Sequence, residues 1–260
     1  MKHVAIGLAL TTGVALITAV PAQAAPKADP VKALIAQLVP GKGVRMSETR
    51  KSAKNGKTYA IAHEKGKIAF SRRGIAATDK SEKIRPLRKM DADEAAFFQP
   101  SREIVVGKTV YRSGGIWTDE LPDGKRWLRI KGFGPSSSNS PIEVLDPQHL
   151  RVLLAHATFR RDGTAGGVTT TCRLEGLAEA NCPYKDFPKI SWTLWFDSRG
   201  LVTRLVSRHV VHDTALSAHV DVRYTGWGST VVIDPPPADQ VWDPQEEADT
   251  PADPLDESTS

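Results

Sequence analysis

Few residues in this chain have the type and spacing that chemistry needs. His209-Val-Val-His212-Asp213 comes nearest to a set of metal ligands. In an extended segment, positions 209 and 212 point to opposite faces, so the two imidazoles converge only across a turn or bulge. His149 and His156 stand seven apart in a helical pattern, too far along the axis to share one ion. The sequence has no Gly-x-Ser-x-Gly, Ser-x-x-Lys, His-Glu-x-x-His, P-loop or Gly-x-Gly-x-x-Gly motif. No pair of carboxylates offers itself as acid and base. No catalytic residue, metal ligand or cofactor is therefore assigned, and a hydrolase without a recognisable motif stays the alternative to a non-enzymatic reading. Cys172 and Cys182 are the only cysteines. With no histidine beside them they make a poor metal site, and their spacing is far from Cys-x-x-Cys. That leaves a disulfide or two buried thiols.

The compartment bears on that choice. Lys2 and His3 precede an apolar stretch from Val4 to Val20, and Ala22-Gln23-Ala24 follows as a small-x-small cleavage signature. Residues 1–24 read as a signal peptide, which places the mature chain outside the cytoplasm. Export favours the Cys172–Cys182 bridge. Closing so short a loop is worth about 3 kcal/mol in the chain-entropy picture. No cysteine follows the apolar stretch as a lipid attachment point.

The chain has 260 residues, 35 Lys and Arg against 30 Asp and Glu, and a net charge of +5. Its 40% hydrophobic and 25% charged content excludes a wholly disordered, collagen-like or polytopic membrane protein. The charge is unevenly spread. Between Lys42 and Lys89 there are 15 bases and four acids, Glu48, Glu64, Asp79 and Glu82. Residues 239–260 hold eight acids and no base, rich in Pro, Ser and Thr, and this composition predicts a disordered acidic tail. The tail is either simply solvated or folded back on the bases. Tyr59 and Phe70 fall in strand patterns, not on an exposed stacking surface, and export removes nucleic acid as a partner. The basic region 42–89 suits an anionic membrane or cell-wall surface, or is a plain solvated face.

One domain is expected over 25–238. Asp29-Pro30 opens a short helix through Leu38, and Asp146-Pro147 opens a longer one through Phe159. Most of the rest alternates. Thr58–His63 and Lys67–Ser71 read as strands around a Glu64-Lys65-Gly66 hairpin loop, with a helix over Asp91–Phe98. Glu103–Val106 and Thr109–Ser113 flank Gly107-Lys108, and Arg126–Lys131 follows. Val168–Glu175, Ile190–Phe196, Leu201–Ser207, Ala218–Tyr224 and Thr230–Ile233 complete the set. About ten antiparallel strands and two main helices predict an α+β domain, a curved sheet wrapped around helix. Leu150, Leu153 and Leu154 share a helix face. Trp192, Leu194 and Phe196, then Val220, Val222 and Tyr224, alternate onto the sheet face opposite. Such stripes build a core or line an apolar cavity.

Three segments carry a resemblance together: Leu145-Asp-Pro-Gln-His-Leu-Arg-Val-Leu-Leu154, Trp192-Thr-Leu-Trp-Phe-Asp-Ser-Arg-Gly-Leu201 with bases following at Arg204 and Arg208, and Val222-Arg-Tyr-Thr-Gly-Trp-Gly-Ser-Thr-Val-Val-Ile-Asp-Pro-Pro-Pro-Ala-Asp-Gln-Val241. With the Trp117–Trp127 segment, this order resembles exported actinobacterial proteins of the LppX/LprG-like group, related to the LolA-like lipoprotein carriers. The resemblance implies a half-open antiparallel barrel enclosing helices, and a hydrophobic or amphiphilic small molecule, a lipid, held between them. It implies carriage or envelope sensing, not catalysis. This chain departs from the group in lacking the lipobox cysteine and in having the Cys172–Cys182 pair.

Overall fold

Alternation along the chain builds the sheet, and the inward half of each alternation builds the core. The computed structural model describes residues 28–89, 91, 95, 97–161, 163–177, 182, 189–210 and 215–245. Twelve strands form one sheet among these residues: β1 Lys42–Lys54, β2 Lys57–Ser71, β3 Gly74–Pro86, β4 Ser101–Val106, β5 Thr109–Gly114, β6 Trp127–Lys131, β7 Phe159–Arg161, β8 Thr164–Thr169, β9 Ile190–Phe196, β10 Val202–Val210, β11 Leu216–Thr230 and β12 Val241–Trp242. Their order is β12-β6-β5-β4-β3-β2-β1-β11-β10-β9-β8-β7. Every pairing is antiparallel except the two-residue β12 on β6. The two end strands do not meet, so the sheet stays open.

Helices α1 Pro30–Gln37, α2 Pro147–Ala155 and the single turn α3 Thr171–Leu174 lie on one face of this sheet. Both longer helices start as their Asp-Pro sequences predict. Asp29 Oδ1 accepts from the Val31 and Lys32 amides at 2.9 and 3.3 Å. Asp146 Oδ1 accepts from the Gln148 amide at 2.7 Å. Leu34, Leu150, Leu153 and Leu154 press on Val44, Met46, Ile68, Trp192, Leu194, Leu205, Val220 and Val222 from β1, β2 and β9–β11. The expected architecture, an open antiparallel sheet wrapped around helix, is the one observed.

Several local expectations are corrected. Glu64-Lys65-Gly66 is no hairpin loop but the middle of the 15-residue β2. Gly66 serves close packing there: a Cβ would stand 2.7 Å from the Asp79 carbonyl oxygen and 2.8 Å from Lys80 Cγ. The tight turn lies at Asn55-Gly56 instead, with φ of 51° and 74°. Helix α2 ends at Ala155, and Phe159 begins a strand. Cys172 sits on the helical turn α3 after β8, not in a strand. Thr230 closes the long β11 instead of opening a strand. Of the Asp91–Phe98 helix, the described residues contribute two backbone hydrogen bonds, Ala95 N to Asp91 O at 3.0 Å and Phe98 N to Ala95 O at 3.1 Å.

The boundary at 239 also moves. A 3-10 turn at Ala238–Gln240 leads into β12, and Asp243 is buried beside β6. Arg129 Nε donates to Asp243 Oδ2 at 2.6 Å, and Lys131 Nζ lies 3.5 Å from the same oxygen. Partial burial works against ionisation, but hydrogen bonds from the Gln245 amide and Arg129 hold the Asp243 carboxyl below its usual range. The acidic segment is thus structured through 245. The predicted signal peptide and the tail from 246 onward lie outside the described residues.

Candidate functional site: a cleft where helix ends meet two turns

Two turns and two helix ends converge at one end of the hollow. The β9–β10 turn is drawn tight by Asp197, whose Oδ1 accepts from the Arg199 and Leu201 amides at 3.0 and 2.9 Å. Gly200 adopts φ of 82° there and closes on Ala28, to which an added Cβ would approach within 3.2 Å. Partial burial opposes it, but the Leu201 amide and the Arg199 guanidinium hold the Asp197 carboxyl below its ordinary range. The Phe196 amide donates to the Gly163 carbonyl at 2.8 Å, which locks the β7–β8 turn to this one. Arg160 reaches back to the Leu154 carbonyl at the end of α2, where a cation suits the helix dipole.

Between these parts lies a cleft of about 900 Å³. Val31, Leu154, Ala165 and Phe196 give it apolar wall. Arg151, Arg160, Asp29 and Asp197 line it as well and give it charged groups. Its size falls within the range of small-molecule sites.

The nine residues expected to line an apolar cavity divide here. Leu154 and Phe196 line the cleft. Leu150, Leu153, Trp192, Leu194, Val220, Val222 and Tyr224 are buried side by side in the core between helices and sheet. Trp192 Nε1 is buried without a hydrogen-bond partner among the described residues. Tyr224 lies 3.0 Å from Ser137 Oγ through its hydroxyl, and burial followed by the nearby Glu143 pushes its pKa well up. The disulfide expectation holds: Cys172 and Cys182 are bridged, with Cα atoms 5.6 Å apart. His149 Nε2 lies 3.9 Å from Glu175. His209 points inward from β10, and burial lowers its pKa. His212 and Asp213 lie outside the described residues.

A second polar centre was not foreseen. Glu48, Glu64 and Glu82 are direct cross-strand neighbours on β1, β2 and β3, all on the helix side. Asn139, from the loop that crosses the hollow, donates its amide to Glu48 Oε2 at 2.9 Å and Nδ2 to Glu48 Oε1 at 3.0 Å. Lys80 Nζ lies 3.7 Å from Glu64 and 3.7 Å from Glu103. Arg50 pairs with Glu82 at 2.6 Å. Burial raises the Glu64 carboxyl to about 7, against the pull of Lys80. The signal lay in the sequence: each acid is isolated among the bases of 42–89, and each has an apolar residue two positions away on one side, Met46, Ala62 and Ile84. Recognising the row needed the strand register, which the misplaced hairpin obscured. Arg151, Arg160 and the 197–200 turn read as helix-end and turn residues, so their shared cleft was also missed.

No family model matches the chain, and no curated protein matches it. Among solved structures it is similar to a LolA superfamily protein from Nitrosomonas europaea, at 8% identity and a TM-score of 0.31, covering 78% of this chain and 93% of that one. It is also similar to a DUF1329 family protein from Desulfovibrio piger, at 14% identity and a TM-score of 0.28, covering 77% and 95%. Likeness at these scores carries no argument about ligand or activity. The functional reading therefore rests on the cleft itself.

Proposed function

We propose that this chain is an exported, non-enzymatic binding protein that holds an acyl chain or similar amphiphile in the cleft between α1, α2 and the β8–β9 strands. The observation that carries the reading is the cleft's composition, apolar wall from Val31, Leu154, Ala165 and Phe196 together with the cations Arg151 and Arg160. An alkyl chain placed there gains about 0.8 kcal/mol for each buried CH₂. Leu150, Leu153, Trp192 and Leu194 lie behind the wall, with Val220, Val222 and Tyr224, in the layer that a longer chain would part. The unpartnered Trp192 Nε1 in that layer suits a ligand bearing an acceptor. The disulfide and the leader-like residues 1–24 support an extracytoplasmic place, and the motif order keeps the LppX/LprG-like group as the proposed kin. An anionic membrane or cell-wall surface meeting 42–89 is the partner side of the same proposal.

Native mass spectrometry of the purified chain, followed by delipidation and titration with a fluorescent fatty acid, tests it. Co-purified lipid or saturable uptake is expected. Ala155→Trp, an exposed cleft position, should weaken uptake about tenfold, as filling a small-molecule site does. A delipidated protein that takes up no amphiphile overturns the carrier reading. It would favour the second one, an envelope sensor on the same fold, for which the closely filled layer between helices and sheet speaks.

A further inference from the structure

The outer face of the sheet, turned away from the helices, has a charge pattern unlike the inner one. Alternation places Arg45 and Lys51 of β1, Lys65 and Lys67 of β2, Lys83 and Arg85 of β3, Arg102 of β4, Arg204 and Arg208 of β10 and Arg223 of β11 on this side. The only acids on the same side of these strands are Asp79 and Asp221. Asp79 is occupied by Arg102, at 2.9 Å to each oxygen. Asp221 is occupied by Arg204, at 2.8 and 2.6 Å. All four glutamates of the same strands, Glu48, Glu64, Glu82 and Glu103, turn inward. No ion pair or hydrogen bond to a described residue meets the side chains of Arg45, Lys51, Lys65, Lys67, Lys83 or Arg208.

Register aggravates the imbalance. Arg208, His219 and Lys51 are direct neighbours across β10, β11 and β1, and Arg204 faces Arg223. Like charges so placed destabilise a sheet. Burial, and then Arg208 and Lys51, keep the His219 imidazole below its usual range. The face therefore gains from a bound polyanion.

The chain holds one. Residues 246–260 contain Glu246, Glu247, Asp249, Asp253, Asp256 and Glu257 and no base. The described chain ends on this same face. Asp243 binds Arg129 and Lys131 at β6. Arg129 lies in one cross-strand row with Tyr111, Ile104, Asp79, Lys67 and Arg45. From β6 to β2 is four strand spacings, about 19 Å. Fifteen residues in extended form reach about 50 Å.

We infer that the acidic C-terminal segment, residues 246–260, docks on the outer basic face of the sheet as its resident polyanion. Asp243 sets its starting point, and the bases Lys65, Lys67 and Arg45 on β2 and β1 are where it arrives. An external anionic surface gains this face only by displacing the segment. The inference is independent of whether the cleft holds an amphiphile.

The two native cysteines are bridged, so Ser258→Cys in the full chain takes a single spin label. Amide signals of Arg45, Lys65 and Lys67 should broaden at about 20 mM salt and recover at about 500 mM, where screening is short-ranged. Broadening spread evenly over the molecule overturns the inference. So does broadening seen only when labelled and isotope-enriched chains are separate molecules, which would make a second copy the occupant. In a second measurement, all six acids are replaced by their amides. The variant should bind phosphatidylglycerol-containing vesicles roughly tenfold more tightly than the unaltered chain at low salt. Equal binding by both overturns the inference and leaves the face open to the membrane. If neither binds, the relaxation measurement decides alone.

Discussion

At the scale of single residues, Glu64 is a buried group whose protonation state bears on stability. Its carboxyl is nearly inaccessible, flanked by Glu48 and Glu82, and held at about 7 against an ordinary 4.5. The folded protein thus binds its proton more tightly than the unfolded chain does. The stabilising contribution is complete below about 4.5 and is lost as pH rises from there to about 7. Lys80 offsets part of this loss but must serve Glu103 as well. Glu64→Gln removes the penalty. Urea unfolding should show the variant about as stable as the original at pH 5 and more stable at pH 8, by up to about 3 kcal/mol. Lower stability of the variant at pH 8 would mean that the ionised Glu64–Lys80 pair is the favoured state.

At the scale of elements, Gly66 decides how β2 is read. In a hairpin loop a Gly→Ala change is close to neutral. In the middle of β2 the new methyl meets the Asp79 carbonyl oxygen and Lys80 Cα, which cannot rotate away. Gly66→Ala should therefore lower stability by about 1–3 kcal/mol, the range for overpacking, as measured by thermal or urea unfolding. An unchanged midpoint would return the segment to a loop. The same position shows what was legible in the sequence. Asp29-Pro30, Asp146-Pro147, the 107–108 and 197–200 turns and the alternation of 218–224 are local signals, and each element forms where its residues place it. A glycine required by the close backbone of the neighbouring strand leaves no local signal, because Asp79 and Lys80 are 13 and 14 positions away in sequence. The cleft was half legible for the same reason. Leu154 and Phe196 announce themselves by periodicity, whereas Arg151, Arg160, Gly163 and Ala28 meet only through tertiary packing.

At the scale of the molecule, an open sheet must protect two edges. β7 has three exposed residues, two of them arginines, and short charged edges resist pairing with another chain. The other edge would be β6, where Trp127 and Leu128 are buried. It is covered by the residues that composition had assigned to a disordered tail. The Arg126 amide donates to Gln240 O at 2.9 Å, Lys125 Nζ to Asp239 O at 3.0 Å, and Val241-Trp242 pairs alongside. Asp243 fixes the end by its contacts with Arg129 and Lys131. The described part of the acidic segment, through 245, thus serves as edge cover. A chain ending at Gln245 keeps the cover, and a chain ending at Ala238 loses it. Light scattering over a concentration series should find the longer truncation no more associated than the full chain. The shorter one should self-associate and lose stability, because β6 then offers a free row of backbone donors and acceptors beside exposed Trp127. Equal association of the two truncations would assign the cover to some other part of the chain.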